Sequence, residues 1–143
     1  MEAERWNREV IRGVEMMSPR PAQRHIVTAS QLLIALGRHL SGPKGTDGEP
    51  GGWVLLAEPE LHLEGDDPVI PDLAGWRVER APDEDTSDAA FFTPPDWVCE
   101  ILSPSNEKHD LVDKLRVLHA AGVPHYWLLH PREQVLVVHR LDP

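Results

Sequence analysis

Apolar positions recur along this chain with two different periods, and each period predicts a different kind of element. Over residues 22–40, Ile26, Ala29, Leu33, Leu36 and Leu40 fall three or four apart, which predicts an amphipathic helix ended by Gly42-Pro43. Over 97–102 the alternation is of another sort. Val98, Glu100 and Leu102 share one face of a strand while Trp97, Cys99 and Ile101 share the other. Both faces are apolar, so this strand is covered on both sides and Glu100 is buried. Residues 14–17 read as a strand, and residues 5–12 as either a helix end or a short strand. Residues 53–63 read as one strand bent near Pro59, and residues 69–76 as another. The stretch 42–52, GPKGTDGEPGG, is a flexible loop by composition, and the acidic, proline-bearing stretch 79–95 is a second, longer loop. A second helix spans about 107–121, with Ser105 or Asn106 as its cap, Leu111, Leu115 and Leu118 in line, and Gly122 and Pro124 at its end. Residues 126–129 and 135–138 are strands joined by His130-Pro131-Arg132-Glu133. This order of elements predicts an α/β fold, a central mixed sheet flanked by helices.

A carboxylate inside an apolar strand is costly unless a metal, a cation or a set of donors holds it. Two residues supply company for Glu100. Asp72 follows Pro71 in the run Val69-Ile70-Pro71-Asp72-Leu73-Ala74, and Lys114 lies on the helix after the Glu100 strand. By helical geometry Lys114 is about 60° from that helix's buried stripe, close enough to reach inward. Asp72, Glu100 and Lys114 together suit metal-assisted hydrolysis of a phosphodiester. Mg²⁺ or Mn²⁺ takes one or two carboxylates and keeps water elsewhere, and a nearby lysine orients or activates that water. An exposed Lys114–Asp110 pair and a structural ion pair at Glu100 are the ordinary alternatives. Ser103 and Ser105 lack the surroundings of a serine nucleophile and read as turn and cap residues. The eight histidines show no zinc spacing.

The segments EVIRG (9–13), MMSP (16–19), His25-Ile26, Pro71-Asp72-Leu73, EILSPS (100–105), the Asp110/Lys114 pair and AGVPHYWLLHP (121–131) together resemble the bacterial Uma-type family. That family belongs to the restriction-endonuclease-like nucleases with the PD-(D/E)xK signature. The likeness runs from about Arg8 to Leu141. It implies a restriction-endonuclease-like core, endonuclease activity on nucleic acid with DNA favoured, and Asp72 and Glu100 as metal ligands with Lys114 as the catalytic lysine. It also matches Glu9 to a family glutamate that supplies a third carboxylate near the metal. His25 stands as a contact to substrate phosphate. Leu102 occupies the place where the wider superfamily has its lysine, so Lys114 reads as that lysine moved to the adjacent helix. The segment Gly13-Val14-Glu15-Met16 is one residue shorter than the family pattern, and the chain reaches Pro143 where relatives continue, so a short or truncated member is an open reading.

Charge modifies this picture. The formal net charge is −10, whereas nucleic-acid binders usually carry basic surfaces. The acidic surplus is local: residues 46–104 hold two basic against fifteen acidic side chains, while residues 1–45 hold seven against four. A basic lip from Arg20, Arg24, Lys44, Lys108 and His109 therefore remains available, with Arg24 and Lys108 the candidate substrate contacts beside His25. The acidic balance equally suits a non-catalytic binding or regulatory domain on the same fold. At 143 residues the chain fits one domain. No apolar run is long enough to span a membrane, the N-terminus has no signal-peptide core, and the single Cys99 cannot form an internal disulfide, so the cytoplasm is the expected compartment and a homodimer is left open.

Overall fold

The structure is a computed structural model that describes residues 6–19, 23–43, 51–63, 68–83, 88–102 and 108–141. It opens with an antiparallel hairpin of β1 (Trp6–Ile11) and β2 (Val14–Pro19), Ile11 facing Val14. The two turn residues take positive φ, 51° at Arg12 and 77° at Gly13, as a tight hairpin matched to strand twist requires. The first residues are thus strand, settling the choice that periodicity left open.

Helix α1 (Gln23–Leu40) follows, then β3 (Trp53–Ala57), β4 (Glu60–His62), β5 (Pro68–Val69), β6 (Leu73–Arg77), β7 (Ala90–Phe91) and β8 (Trp97–Ile101). Helix α2 (Lys108–Ala120) and the hairpin β9 (His125–His130) and β10 (Val135–Arg140) complete the fold. The central sheet has five strands in the order β10-β9-β8-β6-β3. Within this sheet β8 and β9 are the parallel pair, and α2 is the crossover that parallel pairing demands. β4, β5 and β7 form a separate three-stranded sheet.

Every residue of β8 is buried, as its two apolar faces predict. On one face Val98 packs with Leu118 of α2, Val123 and Tyr126; on the other Trp97 and Cys99 meet Leu32, Leu33 and Leu36 of α1. α1 is seated less deeply than its stripe suggests. None of its residues is buried, and Ile26 is 47% exposed. Its contacts with the sheet include Leu32, Leu33 and Leu36, and its first turn brings His25 to Asp72, just before β6.

Two expected strands are each divided. Residues 53–63 form β3 in the central sheet and β4 in the small one, parted at Glu58 (φ 51°) and Pro59. Residues 69–76 likewise part into β5 and β6, leaving Asp72 at the junction rather than within a strand. The Glu58 amide donates to the Asp72 carbonyl at 3.0 Å, so the two chains leave the central sheet at the same level. Within the acidic stretch expected as loop, a 3₁₀ turn (Val78–Arg80) and β7 add short ordered pieces. No helix among the described residues is long and apolar enough to cross a membrane.

Candidate active site

Glu100 enters the interior because its strand is apolar on both sides, and it is only 3% exposed. Lys114 comes from α2, which packs through Leu118 over the Glu100 face of β8; its Nζ lies 3.4 Å from Glu100 Oε1. The same Nζ lies 2.7 Å from Oε1 of Glu9 on β1, and this Glu9 oxygen also accepts the Ile70 amide at 3.0 Å. Asp72 uses both oxygens. Oδ1 meets Nε2 of His25 at 2.9 Å, and Oδ2 accepts the Ile101 amide at 2.6 Å. The Asp72 and Glu100 carboxyls lie close enough for each to shift the other's ionisation.

Two carboxyl groups held together compete to ionise, and their surroundings decide which does so more readily. Burial pushes the Glu100 carboxyl well above its ordinary range; Lys114 opposes this, while Asp72 and Glu9 add to it. Burial also pushes Asp72 upward, but the hydrogen bond and charge of His25 and the Ile101 amide outweigh it, so Asp72 is held low and ionised. The bond to Asp72 raises His25, against burial, with Asp72 and Glu58 adding their charge. Burial pushes the neighbouring Cys99 thiol up, which leaves it unreactive.

Five of the residues singled out in the sequence, Glu9, His25, Asp72, Glu100 and Lys114, therefore meet at one place. Arg24 is exposed on α1 beside His25, and its carbonyl accepts the Thr28 hydroxyl. Lys108 lies in the first turn of α2; its side chain, and those of Arg20, Lys44, His109 and Asp110, lie outside what the structure describes. Ser105 and Asn106, the alternative cap candidates, lie outside it too. Two members of the site have no signal in residue type, the Ile70 and Ile101 amides, since any residue but proline carries such a donor.

Among the described residues no group of three or more His, Cys, Asp and Glu side chains is arranged to hold a metal. What the site offers is a pair. Asp72 and Glu100 are hard oxygen donors held together, with Glu100 pushed above its ordinary range by burial and by the nearby carboxylates, and a divalent cation would relieve that repulsion. Two carboxylates with water in the other positions match the binding habit of Mg²⁺.

A mixed five-stranded sheet between two helices, with this cluster at the junction leading into β6 and the end of β8, is the restriction-endonuclease-like architecture. The family model Uma2, described as "Putative restriction endonuclease", matches residues 2–143, and the chain belongs to that family. A crystal structure described as a putative nuclease from Anabaena variabilis is similar with a TM-score of 0.78 and 24% identity, over 95% of this chain and 73% of that one. At that identity the likeness carries the fold. A comparison with curated proteins finds no match.

Proposed function

We propose that this protein is a metal-dependent endonuclease that hydrolyses phosphodiester bonds of nucleic acid, with Mg²⁺ or Mn²⁺ as its cofactor and DNA as its substrate. The observation that supports this reading is the pairing of the buried Glu100 carboxyl with the half-buried carboxylate of Asp72, beside the ammonium of Lys114. Asp72 and Glu100 hold the ion; when bound it polarises the phosphoryl oxygen and acidifies water. His25 and the Ile101 amide fix the Asp72 carboxylate from both of its oxygens, so that it presents its remaining lone pairs in one direction. Lys114 orients the attacking water and offsets charge that develops on the phosphate. DNA follows from the family rather than from any group in the site.

A second reading, a non-catalytic binding domain on the same fold, draws on the net charge of −10. One assay separates the two. Supercoiled DNA, single-stranded DNA and RNA are incubated with the protein in Mg²⁺, Mn²⁺ or EDTA, together with Lys114→Ala. The nuclease reading expects cleavage only with metal, and a fall of about 10²–10⁴-fold in Lys114→Ala with metal binding retained. Metal binding without cleavage of any substrate supports the second reading, and cleavage by Lys114→Ala at the parent rate removes Lys114 from the mechanism.

A further inference from the structure

Sequence reasoning offers Glu9 as a third metal ligand, but the contacts of Glu9 favour a different part. One of its oxygens, Oε1, takes both the Ile70 amide at 3.0 Å and the Lys114 ammonium at 2.7 Å. The same ammonium is farther, 3.4 Å, from Glu100. All three side chains are nearly sealed from water, with 9% of Glu9, 7% of Lys114 and 3% of Glu100 exposed. In so little solvent the attraction between charges is only weakly screened and grows as distance falls, so Glu9 is the principal counter-ion of Lys114.

We infer that Glu9 is a positioning residue: it anchors Lys114 and so leaves Glu100 free to bind metal, without joining the coordination shell. This rests on the metal-dependent reading above. If Glu9 loses its charge, the whole ammonium charge falls on Glu100, which must then give up a buried ion pair before it can serve a cation. Glu9 also reaches the other ligand. The Ile70 amide it accepts lies two residues before Asp72, so one carboxylate on β1 ties together the chain segment that presents Asp72 and the helix that presents Lys114. Groups that hold metal-site residues in place in this way commonly alter metal affinity by about 10–100-fold when removed.

The test is Mn²⁺ binding by calorimetry, without nucleic acid, for the parent, Glu9→Gln, Lys114→Met and the double variant, each shown folded by thermal melting. Glu9→Gln keeps an oxygen for the Ile70 amide and removes only the charge; it should weaken Mn²⁺ roughly tenfold. In the Lys114→Met background, Glu9 has lost the cation it anchors and has no ammonium left to hold away from Glu100. The same Glu9→Gln change should then alter affinity by less than about threefold, a clear departure from additivity. Equal losses in both backgrounds would mark Glu9 as a direct ligand and overturn the inference, as would an unchanged affinity in Glu9→Gln alone. Parent crystals soaked in Mn²⁺ give an arm that needs no variant to fold: a Glu9 oxygen within about 2.2 Å of the ion overturns the inference. Failure of the parent to cleave nucleic acid leaves these results standing, whereas failure to bind Mn²⁺ at all removes the metal reading and this inference with it.

Discussion

A carboxyl group that is 3% exposed and close to the charges of two other carboxylates has good reason to keep its proton. For Glu100 the consequence for stability has a definite sign. Its folded pKa lies above the ordinary value of 4.5, so the folded protein binds an extra proton as pH rises past that point. Its contribution is complete below 4.5 and is lost as pH rises through the raised folded value. His25, raised by Asp72 from an ordinary 6.5, acts in the same sense: its stabilisation is full below 6.5 and is lost as pH rises through the raised folded value. Asp72 is depressed and opposes them only in acid, where its contribution is lost as pH falls below 3.8. Glu100→Gln keeps the shape and removes one of these titrations. Metal-free melting curves of this variant should show a shallower decline from acid to neutral pH, and a neutral-pH stability equal to or above the parent's. It should also lose most of the rise that metal gives the parent, about 2.7 kcal/mol at a hundredfold excess over the dissociation constant. If the metal-free variant unfolds instead, Glu100 is a structural partner of Lys114. At this scale the site was legible wherever chemistry resides in residue type, as for Asp72, Glu100 and Lys114. Glu9 could be read only through family resemblance. The Ile70 and Ile101 amides could not be read, because a backbone donor looks the same in every residue.

Among the elements, β8 and α2 follow directly from their patterns, since burial on two faces and a single apolar line are each unambiguous. The division of 53–63 and of 69–76 is different in kind. An apolar run records that a strand is covered but not which sheet it joins, and both segments pass from one sheet to the other. Pro59 marked the first break; the second left Asp72 outside any strand, where both its oxygens are free to take donors. A position in β6 shows how closely the α1 side of the sheet is packed. A Cβ on Gly75 would come 2.8 Å from Leu55 Cδ2 and 3.3 Å from the rings of both Trp53 and Trp97. Trp97 is itself held edge-on to Trp127, with ring centres 5.3 Å apart. Gly75→Ala should therefore lower stability by about 1–3 kcal/mol, the usual cost of overfilling a core. Urea denaturation measures this, and an unchanged midpoint would show that Leu55 and the indoles shift without cost.

For the molecule as a whole, charge is the property most at odds with the proposed substrate. A chain of net charge −10 approaches a polyanion against repulsion, so any productive encounter depends on where its few cations lie and on the divalent metal. Several described arginines are already engaged with acids: Arg8 with Glu15, Arg12 with Asp113, and Arg80 with Asp96. Arg24, exposed and next to His25 in α1, and Lys108, which begins the helix that brings Lys114, are the candidate cations to test for substrate contact. If these two contact phosphate, binding of a DNA duplex by Lys114→Ala in Mg²⁺ should weaken as monovalent salt rises. The logarithmic slope should be about 0.9 per phosphate neutralised. Arg24→Ala and Lys108→Ala should each reduce that slope by about one and weaken binding alike for every sequence tested, because a phosphate contact positions without reading bases. A small starting slope is expected, since few cations are available, and it distinguishes this protein from basic nucleases. An affinity independent of salt would instead indicate a partner held by apolar contacts, and the acidic surface would then favour the non-catalytic reading.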